Sequence, residues 1–397
     1  MLTSEQMEYT RLQGEPHPSR RETALGIGVG IIGAGSVSNA HAAAYLSCRR
    51  RATLTAIADV DVSRAQALRR RTGAEAAFAD YHELLGRSDI DAVSICTPAA
   101  THAEIVLDAI RAGKHVLCEK PIATRFGDAG ALIDASAGHP ELCVSCVFQH
   151  RDDPALRRAR WILGERVIGD VFSAHLAAHV HRNASYYQEG RGDRQTDGGG
   201  ALIVQGIHLL DALVWMLGDV SSVSGTMGTF IHDIQTEDAF VGWARLSGGA
   251  AASIECSTGA PRDDYAFDIL GREACLSLRY RPGWARMWEL DVRCHDRRQA
   301  WAIRRGAERR FPPATRLRAP HTARLAASRV TRSPRRPGHL GHTPHISRFL
   351  DAVESGGASP VSPSEACRSL ELVEALYRSA SGRVQVDLPL VRERASA

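Results

Sequence analysis

The stretch that most constrains this chain is Gly26–Gly35, GIGVGIIGAG, running directly into Ser36-Val37-Ser38. An apolar β-rich run ends in glycine-x-glycine and opens into a helical pattern, the strand–turn–helix context of a dinucleotide fingerprint. Gly33 permits the tight turn, and Gly35 lets the backbone approach a pyrophosphate without a Cβ in the way. Beside Ser36 and Val37 the helix start supplies unpaired N–H groups and a dipole that favours an anion. The third fingerprint position is Ser38, small enough to keep helix and strand close. About twenty residues on, Asp59 closes the next apolar run, where a carboxylate accepts both ribose hydroxyls and repels a 2′-phosphate. That favours NAD; nearby Arg64 keeps NADP possible. The competing reading is that Asp59 only caps a turn.

Short β-rich runs then alternate with helical periods to about residue 149, ending in LCVSCVF. Such alternation predicts a parallel sheet with helices on both faces. From about 150 the pattern changes to consecutive period-two strands such as AFVGWARLSG and AAASIECSTG, predicting an α+β domain with a large, mostly antiparallel sheet. The division is a polar, disordered tail over 1–26, a dinucleotide-binding domain over 27–149, and a substrate and oligomerisation domain over 150–397. Within the latter, 297–342 is Arg-rich with several prolines. It reads as a solvated excursion, nucleic-acid binding being the alternative that lacks interleaved aromatics. Helical patterns after it return to compact structure.

Neither a secretory signal nor an apolar run of membrane-spanning length stands out, which points to the cytoplasm and no membrane partner. Cys143 and Cys146 form a C-x-x-C, but in an apolar β-branched run with no second ligand pair they read as core thiols, and no metal site is expected.

Of the 49 basic residues only Lys114 and Lys120 are lysine. Lys120 follows Glu119 and precedes Pro121 at the end of the fifth predicted parallel strand, where doubly wound sheets place their ligands. An ammonium there stabilises alkoxide charge on a substrate oxygen. A second constellation, GGGALIVQGIHLLD over 198–211, puts Gln205, His208 and Asp211 at i, i+3 spacings on a helix, with glycines allowing close approach to a ligand. His208 suits a general base near neutral pH, with Asp211 an orienting or structural partner. The alternative is a buried histidine satisfied by a carbonyl. Tyr186, Tyr187, Arg191 and His181, in or beside the polar loop before the glycines, are candidate substrate contacts, as is Gln205.

GIIGAGSVSNAH, SICTPAATHAEIVLDAIRAGKHVLCEKPIA and GGGALIVQGIHLLDALVWMLG together resemble successive signatures of the glucose-fructose oxidoreductase/inositol dehydrogenase/rhizopine-catabolism (Gfo/Idh/MocA) family. The resemblance runs from residue 27 onward, except through the Arg-rich stretch. It implies a Rossmann domain followed by an open sheet domain that often mediates oligomers, so a homo-oligomer (dimer or tetramer) is expected. It implies that Lys120 and His208 are the catalytic pair, with Thr97, Pro98, His102 and Glu119 on the nicotinamide side. Many members carry an aspartate one helical turn before the histidine; here that position is Val204, followed by Gln205. Branches acting on nucleotide-linked or carboxylated sugars also lack it. The expected activity is hydride transfer between NAD(P) and a secondary alcohol or ketone of a sugar, sugar nucleotide or (amino)cyclitol. A cofactor-bound sensor that has lost turnover, and an NAD-dependent glycosidase or lyase, are the alternatives.

Overall fold

The computed structural model describes residues 26–187, 191–281, 287–312 and 341–391. The predicted tail before residue 26, and 313–340 of the Arg-rich stretch, lie outside the described residues.

Six short strands, β1 (Ile27–Ile32), β2 (Ala52–Ala58), β3 (Ala76–Phe78), β4 (Ala92–Ile95), β5 (His115–Cys118) and β6 (Val144–Cys146), form a parallel sheet in the order β3-β2-β1-β4-β5-β6. Successive strand side chains point to opposite faces. Ile32, Val93 and Ile95 accordingly pack with the helices α3 (Tyr81–Leu85), α4 (His102–Arg111) and α5 (Ala129–Gly138). Val29, Ile31 and Ala92 pack on the other face, with α1 (Ser38–Ser47) and α2 (Val62–Thr72). The strand order reverses direction between β1 and β4, the switch point at which doubly wound sheets open a crevice. Ile32 pairs with Ile95 and Ile95 with Cys118, so Gly33, Cys96 and Glu119 leave the sheet at one level.

After α6 (Pro154–Gly164), the chain builds β7 (Val171–His181), α7 (Ile207–Leu217), then β8 (Val220–Gly228), β9 (Ala239–Leu246), β10 (Ala251–Ser257), β11 (Gly259–Gly271), β12 (Cys275–Arg281) and β13 (Met287–Arg293). With β14 (Val386–Asp387) these strands form an eight-stranded sheet, β13-β12-β11-β7-β10-β9-β8-β14, in which only β7 and β10 run parallel. The α/β-then-α+β fold class read from the sequence is the one observed.

Three local readings change. Residues 297–310 are not a solvated excursion but a helix, α8 (Arg297–Arg310), capped by the Asp296 side chain on the Arg298 N–H. Its buried Ala300, Ile303 and Ala307 form a narrow apolar stripe that the surrounding arginines mask in composition. A stretch of membrane-spanning length and composition does exist, Arg194–Leu217, but its apolar window is 83% buried inside the molecule, so it is a core helix. The predicted helix over 200–217 is also not continuous α: Leu202–Gly206 is a π turn.

The chain then returns to the first sheet. Helix α9 (His342–Ser355) buries Ile346, Phe349 and Leu350 in the α1 side of that sheet. Helix α10 (Pro363–Gly382) starts on a Ser362–Glu365 capping box with Pro363 in the first turn. The Cys143 and Cys146 thiols are both buried and free, packed in the core around β6.

Candidate active site

The turn after β1 has the shape a dinucleotide needs. Gly33 has φ +92°, and a Cβ there would stand 2.6 Å from the Cys96 carbonyl carbon. A Cβ on Gly35 would meet nothing within 4 Å, so this side of the turn is open. Helices α2, α3, α6 and α8 start on aspartate caps, whereas α1 has no side-chain cap and no acidic residue in its first turn, leaving its positive end for an anion. Ser38 is buried and donates to the Gly35 carbonyl at 2.6 Å, holding the turn; Ser36 is exposed and Val37 half-buried. The Asp59 carboxylate accepts from the Ala34 N–H at 2.6 Å and the Asp61 N–H at 2.8 Å, so it orders the turn, and each oxygen keeps a second lone pair for a ribose hydroxyl. Arg64 ion-pairs with Asp61. These residues fit NAD: an open glycine turn, an uncapped helix start and a carboxylate at the ribose position.

Beyond β4, Thr97 is half-buried and Pro98 exposed at the crevice edge. His102 is buried and places its ring nitrogens 2.9 Å from the Thr97 carbonyl and 2.7 Å from the Pro121 carbonyl, tying the loops after β4 and β5 together. It acts on the crevice by positioning those loops. Glu119 is also buried, 3.0 Å from His41 Nε2 and 3.3 Å from His342 Nε2. Burial pushes its pKa up, but hydrogen bonds from the two rings outweigh this and hold it well below the usual carboxylate range. A carboxylate only accepts, so His41 carries its proton on Nε2 and accepts from Ser94 at Nδ1. The three groups lie within 4.8 Å of one another, but both rings share the Oε1 oxygen, which is committed to these hydrogen bonds.

Lys120 turns toward the second sheet. Its Nζ donates to the Val204 carbonyl at 2.8 Å, and burial pulls its pKa below that of an ordinary lysine. Val204 lies in the π turn, which interrupts the regular i→i+4 ladder. The valine at the family's aspartate position therefore contributes its main chain.

His208, one turn on, is buried, and its Nδ1 has no hydrogen-bond partner among the described residues. Burial holds its pKa well below the ordinary histidine value, and the nearby Lys120 charge pushes the same way, so the ring is a neutral base. Asp211 is not its partner. The Asp211 carboxylate receives Arg151 Nε and Nη2 at 2.9 and 2.8 Å and the Ser369 hydroxyl at 2.9 Å, a buried brace between α7 and α10. The glycines before α7 serve packing, for a Cβ on Gly200 would stand 1.9 Å from the Glu237 carbonyl oxygen. The Glu237 carboxylate caps this helical start, accepting from the Gly200 and Leu202 N–H groups.

Of the predicted substrate contacts, Gln205 and Tyr187 share a small cleft with Tyr186, Gly200, Val204 and Thr258. The Gln205 side-chain oxygen accepts from the Tyr265 hydroxyl at 3.3 Å, and the Tyr187 hydroxyl donates to Thr258 Oγ1 at 2.8 Å. Arg191 stacks over Tyr186, 4.4 Å from the ring centre. His181 is exposed, and its Nδ1 bonds the Ala260 carbonyl at 2.9 Å.

Three residues that sequence reasoning missed complete the wall. Tyr265, Tyr280 and Trp288 pair in register across β11, β12 and β13, and His150 packs against Tyr280, Trp288 and, at 4.8 Å between centroids, His208. The Trp288 indole N–H donates to His150 Nδ1 at 2.7 Å, so the neutral ring carries its proton on Nε2. Burial lowers the His150 pKa to about 4. The period-two aromatics were visible in the strands, but their register across three strands was not. A separate cavity of about 490 Å³, lined by Arg157, Arg160, Trp215 and Phe311 among others, contains neither Lys120 nor His208.

Family models agree with this architecture. The "Oxidoreductase family, NAD-binding Rossmann fold" model matches residues 27–145, and the "GFO/IDH/MocA C-terminal domain" model matches 156–277. The chain belongs to the GFO/IDH/MocA oxidoreductase family. It is 33% identical over 219 residues to an inositol 2-dehydrogenase of Acidothermus cellulolyticus, covering 53% of this chain and 62% of that protein. It is 26% identical over 296 residues to a levoglucosan dehydrogenase of Pseudarthrobacter phenanthrenivorans, covering 64% of this chain and 74% of that protein. Among solved structures, the WlbA dehydrogenase from Bordetella pertussis, in complex with NADH and UDP-GlcNAcA, superposes with a TM-score of 0.77 at 25% identity, covering 93% of this chain and 99% of that one.

Proposed function

We propose that this protein is an NAD-dependent oxidoreductase acting on a secondary alcohol, or the matching ketone, of a sugar, sugar nucleotide or (amino)cyclitol. The observation that carries this reading is the Lys120 Nζ bond to the Val204 carbonyl, which brings the strand-end lysine to within one helical turn of His208. The bound nicotinamide supplies the hydride acceptor for the alcohol carbon. Neutral His208 takes the hydroxyl proton, and Lys120, with one N–H on Val204 and the others available, holds the oxygen as charge develops on it. The aromatic wall of Tyr265, Tyr280 and Trp288 excludes water from that side. Retention of both Lys120 and His208, together with relatives named as dehydrogenases, supports turnover over a sensor role.

Asp59 supports NAD over NADP. Cytoplasmic residence belongs to the same reading, as does a homo-oligomer formed through the outer face of the second sheet, where Val241 and Trp243 of β9 are exposed. NADH absorbance across a panel of inositols, aminocyclitols, hexoses and sugar nucleotides tests the activity. Tight NADH binding with no turnover of any member would count against it, and a monomer in sedimentation would remove the oligomer.

A further inference from the structure

We propose that the substrate carries an anionic group, a carboxylate or a phosphate ester, and that Arg182 is its receptor; this rests on the dehydrogenase reading above. Arg182 follows the last residue of β7, and its backbone N–H donates to the Thr258 carbonyl at 3.1 Å. The Thr258 hydroxyl is the acceptor for Tyr187, so Arg182 stands at the rim of the cleft that holds Val204 and Gln205.

The guanidinium lies over Tyr186, 4.8 Å from the ring centre, with Nη1 donating to the His181 carbonyl at 2.9 Å. Its Nε is buried without a hydrogen-bond partner, Nη2 makes no hydrogen bond, and no carboxylate comes within ion-pair distance, all among the described residues. Asp263 accepts the His181 N–H and Asp197 the Gly192 N–H, both at 2.9 Å, and neither accepts from Arg182.

The vacant edge is chemically specific. Nε and Nη2 of one guanidinium form the fork that receives two oxygens of a planar anion. Three arginines of this chain show that edge filled: Arg151 gives it to Asp211, Arg51 to Glu354 and Arg87 to Asp89. A buried charged donor without a partner is costly, so its retention beside a cleft points to a ligand that completes it. A neutral hydroxyl engages the fork through one oxygen; a carboxylate or phosphate engages both N–H groups. Arg182 also acts on Lys120, its charge contributing to the depressed lysine pKa. An anion on Arg182 would sit in the field of two cations, close to the reacting oxygen.

The test pairs sugars that differ only in charge, glucose with glucuronate and with glucose 6-phosphate, and galactose with galacturonate. NAD reduction is measured with the full chain and with Arg182→Gln and Arg182→Lys. The expected result is a kcat/KM at least about 10-fold higher for one anionic member of a pair, the carboxylate and phosphate arms telling the two sources apart. Arg182→Gln erases that preference through KM, and Arg182→Lys, keeping charge but not the fork, restores part of it. Equal or better use of the neutral sugars overturns the proposal and leaves the dehydrogenase reading standing. Calorimetric titration of glucuronate and glucose 6-phosphate into NADH-loaded protein needs no turnover. Anion binding lost in Arg182→Gln, with NADH affinity retained, supports the receptor even if NAD reduction fails; no anion binding to the unmutated protein overturns it.

Discussion

The two lysines of this chain flank the same strand. Lys114 precedes β5 and Lys120 follows it by two residues, so they mark opposite ends of the parallel sheet. Both are largely buried, both have pKa values pulled down by burial, and both donate to main-chain carbonyls. Lys114 gives Nζ to Arg87 and Ile90, each at 2.8 Å, and closes the amino end of the sheet. Lys120 gives Nζ to the Val204 carbonyl, at 2.8 Å, beyond the carboxyl end. Each lysine places a compact ammonium among main-chain carbonyls, a geometry that a planar guanidinium does not match, and Lys120 alone stands at the carboxyl end, where doubly wound sheets place their ligands.

Lys120→Met should have the largest effect. On the proposed role of Lys120 in holding the developing charge, its loss should lower kcat by about 10³-fold, with NADH affinity and the unfolding midpoint little changed. A loss of stability in place of activity would make Lys120 a second strut. The pH profile sharpens the point: because burial lowers the Lys120 pKa, the alkaline fall of kcat/KM should begin below the ordinary lysine value of 10.5. Neutral His208 should hold its activity well below pH 6.5.

Asp211 offers the converse case, a carboxylate three residues from His208 that braces α7 against α10. Asp211→Asn leaves Arg151 with Glu365 as its one remaining acid and should cost about 3 kcal/mol in urea unfolding. The pH dependence of kcat/KM should not move. A shift of its acid limb would put Asp211 back beside His208 in function.

His150 makes the active-site end more acid-sensitive than the strut end. Its pKa is about 4 in the folded protein and 6.5 when unfolded, so the unfolded state binds the proton first as pH falls. The stability held above pH 6.5 is lost progressively down to about pH 4, amounting to about 3 kcal/mol for this ring. Buried His41, His102 and His208 act in the same direction. Urea midpoints taken at about pH 7.5 and pH 5 should separate widely, and His150→Gln should narrow the gap; an unchanged gap would show that His150 is not held neutral.

Much of the first sheet was legible because strand, turn and helix there are local signals: glycines at fixed offsets, period-two runs, an acid at a strand end. Lys120 and His208 were legible for the same reason, each sitting in a contiguous motif. What escaped depends on contacts distant in sequence. Asp211 could not be assigned without Arg151, sixty residues earlier, nor the glycine triplet without Glu237. The π turn leaves no composition signal, and it converts Val204 from a missing acid into a main-chain acceptor. Arg182 was invisible among 47 arginines until its neighbours showed which edge had no partner.

The smallest effect is expected at Lys114, and it is the one that separates rarity from chemistry. Lys114→Met removes both donors from the Arg87 and Ile90 carbonyls while leaving a side chain of similar length in the same place. Two carbonyls lose their partners, but the mutation also relieves a buried charge, so the net cost should be about 2 kcal/mol in urea unfolding. Lys114→Arg should be no better, since a planar fork does not fit two converging carbonyls as an ammonium does. NAD reduction by Lys114→Met should match the unmutated protein at a temperature where both are folded. If activity instead falls with stability intact, the amino end of β5 reaches the crevice, and the division of labour between the two lysines fails.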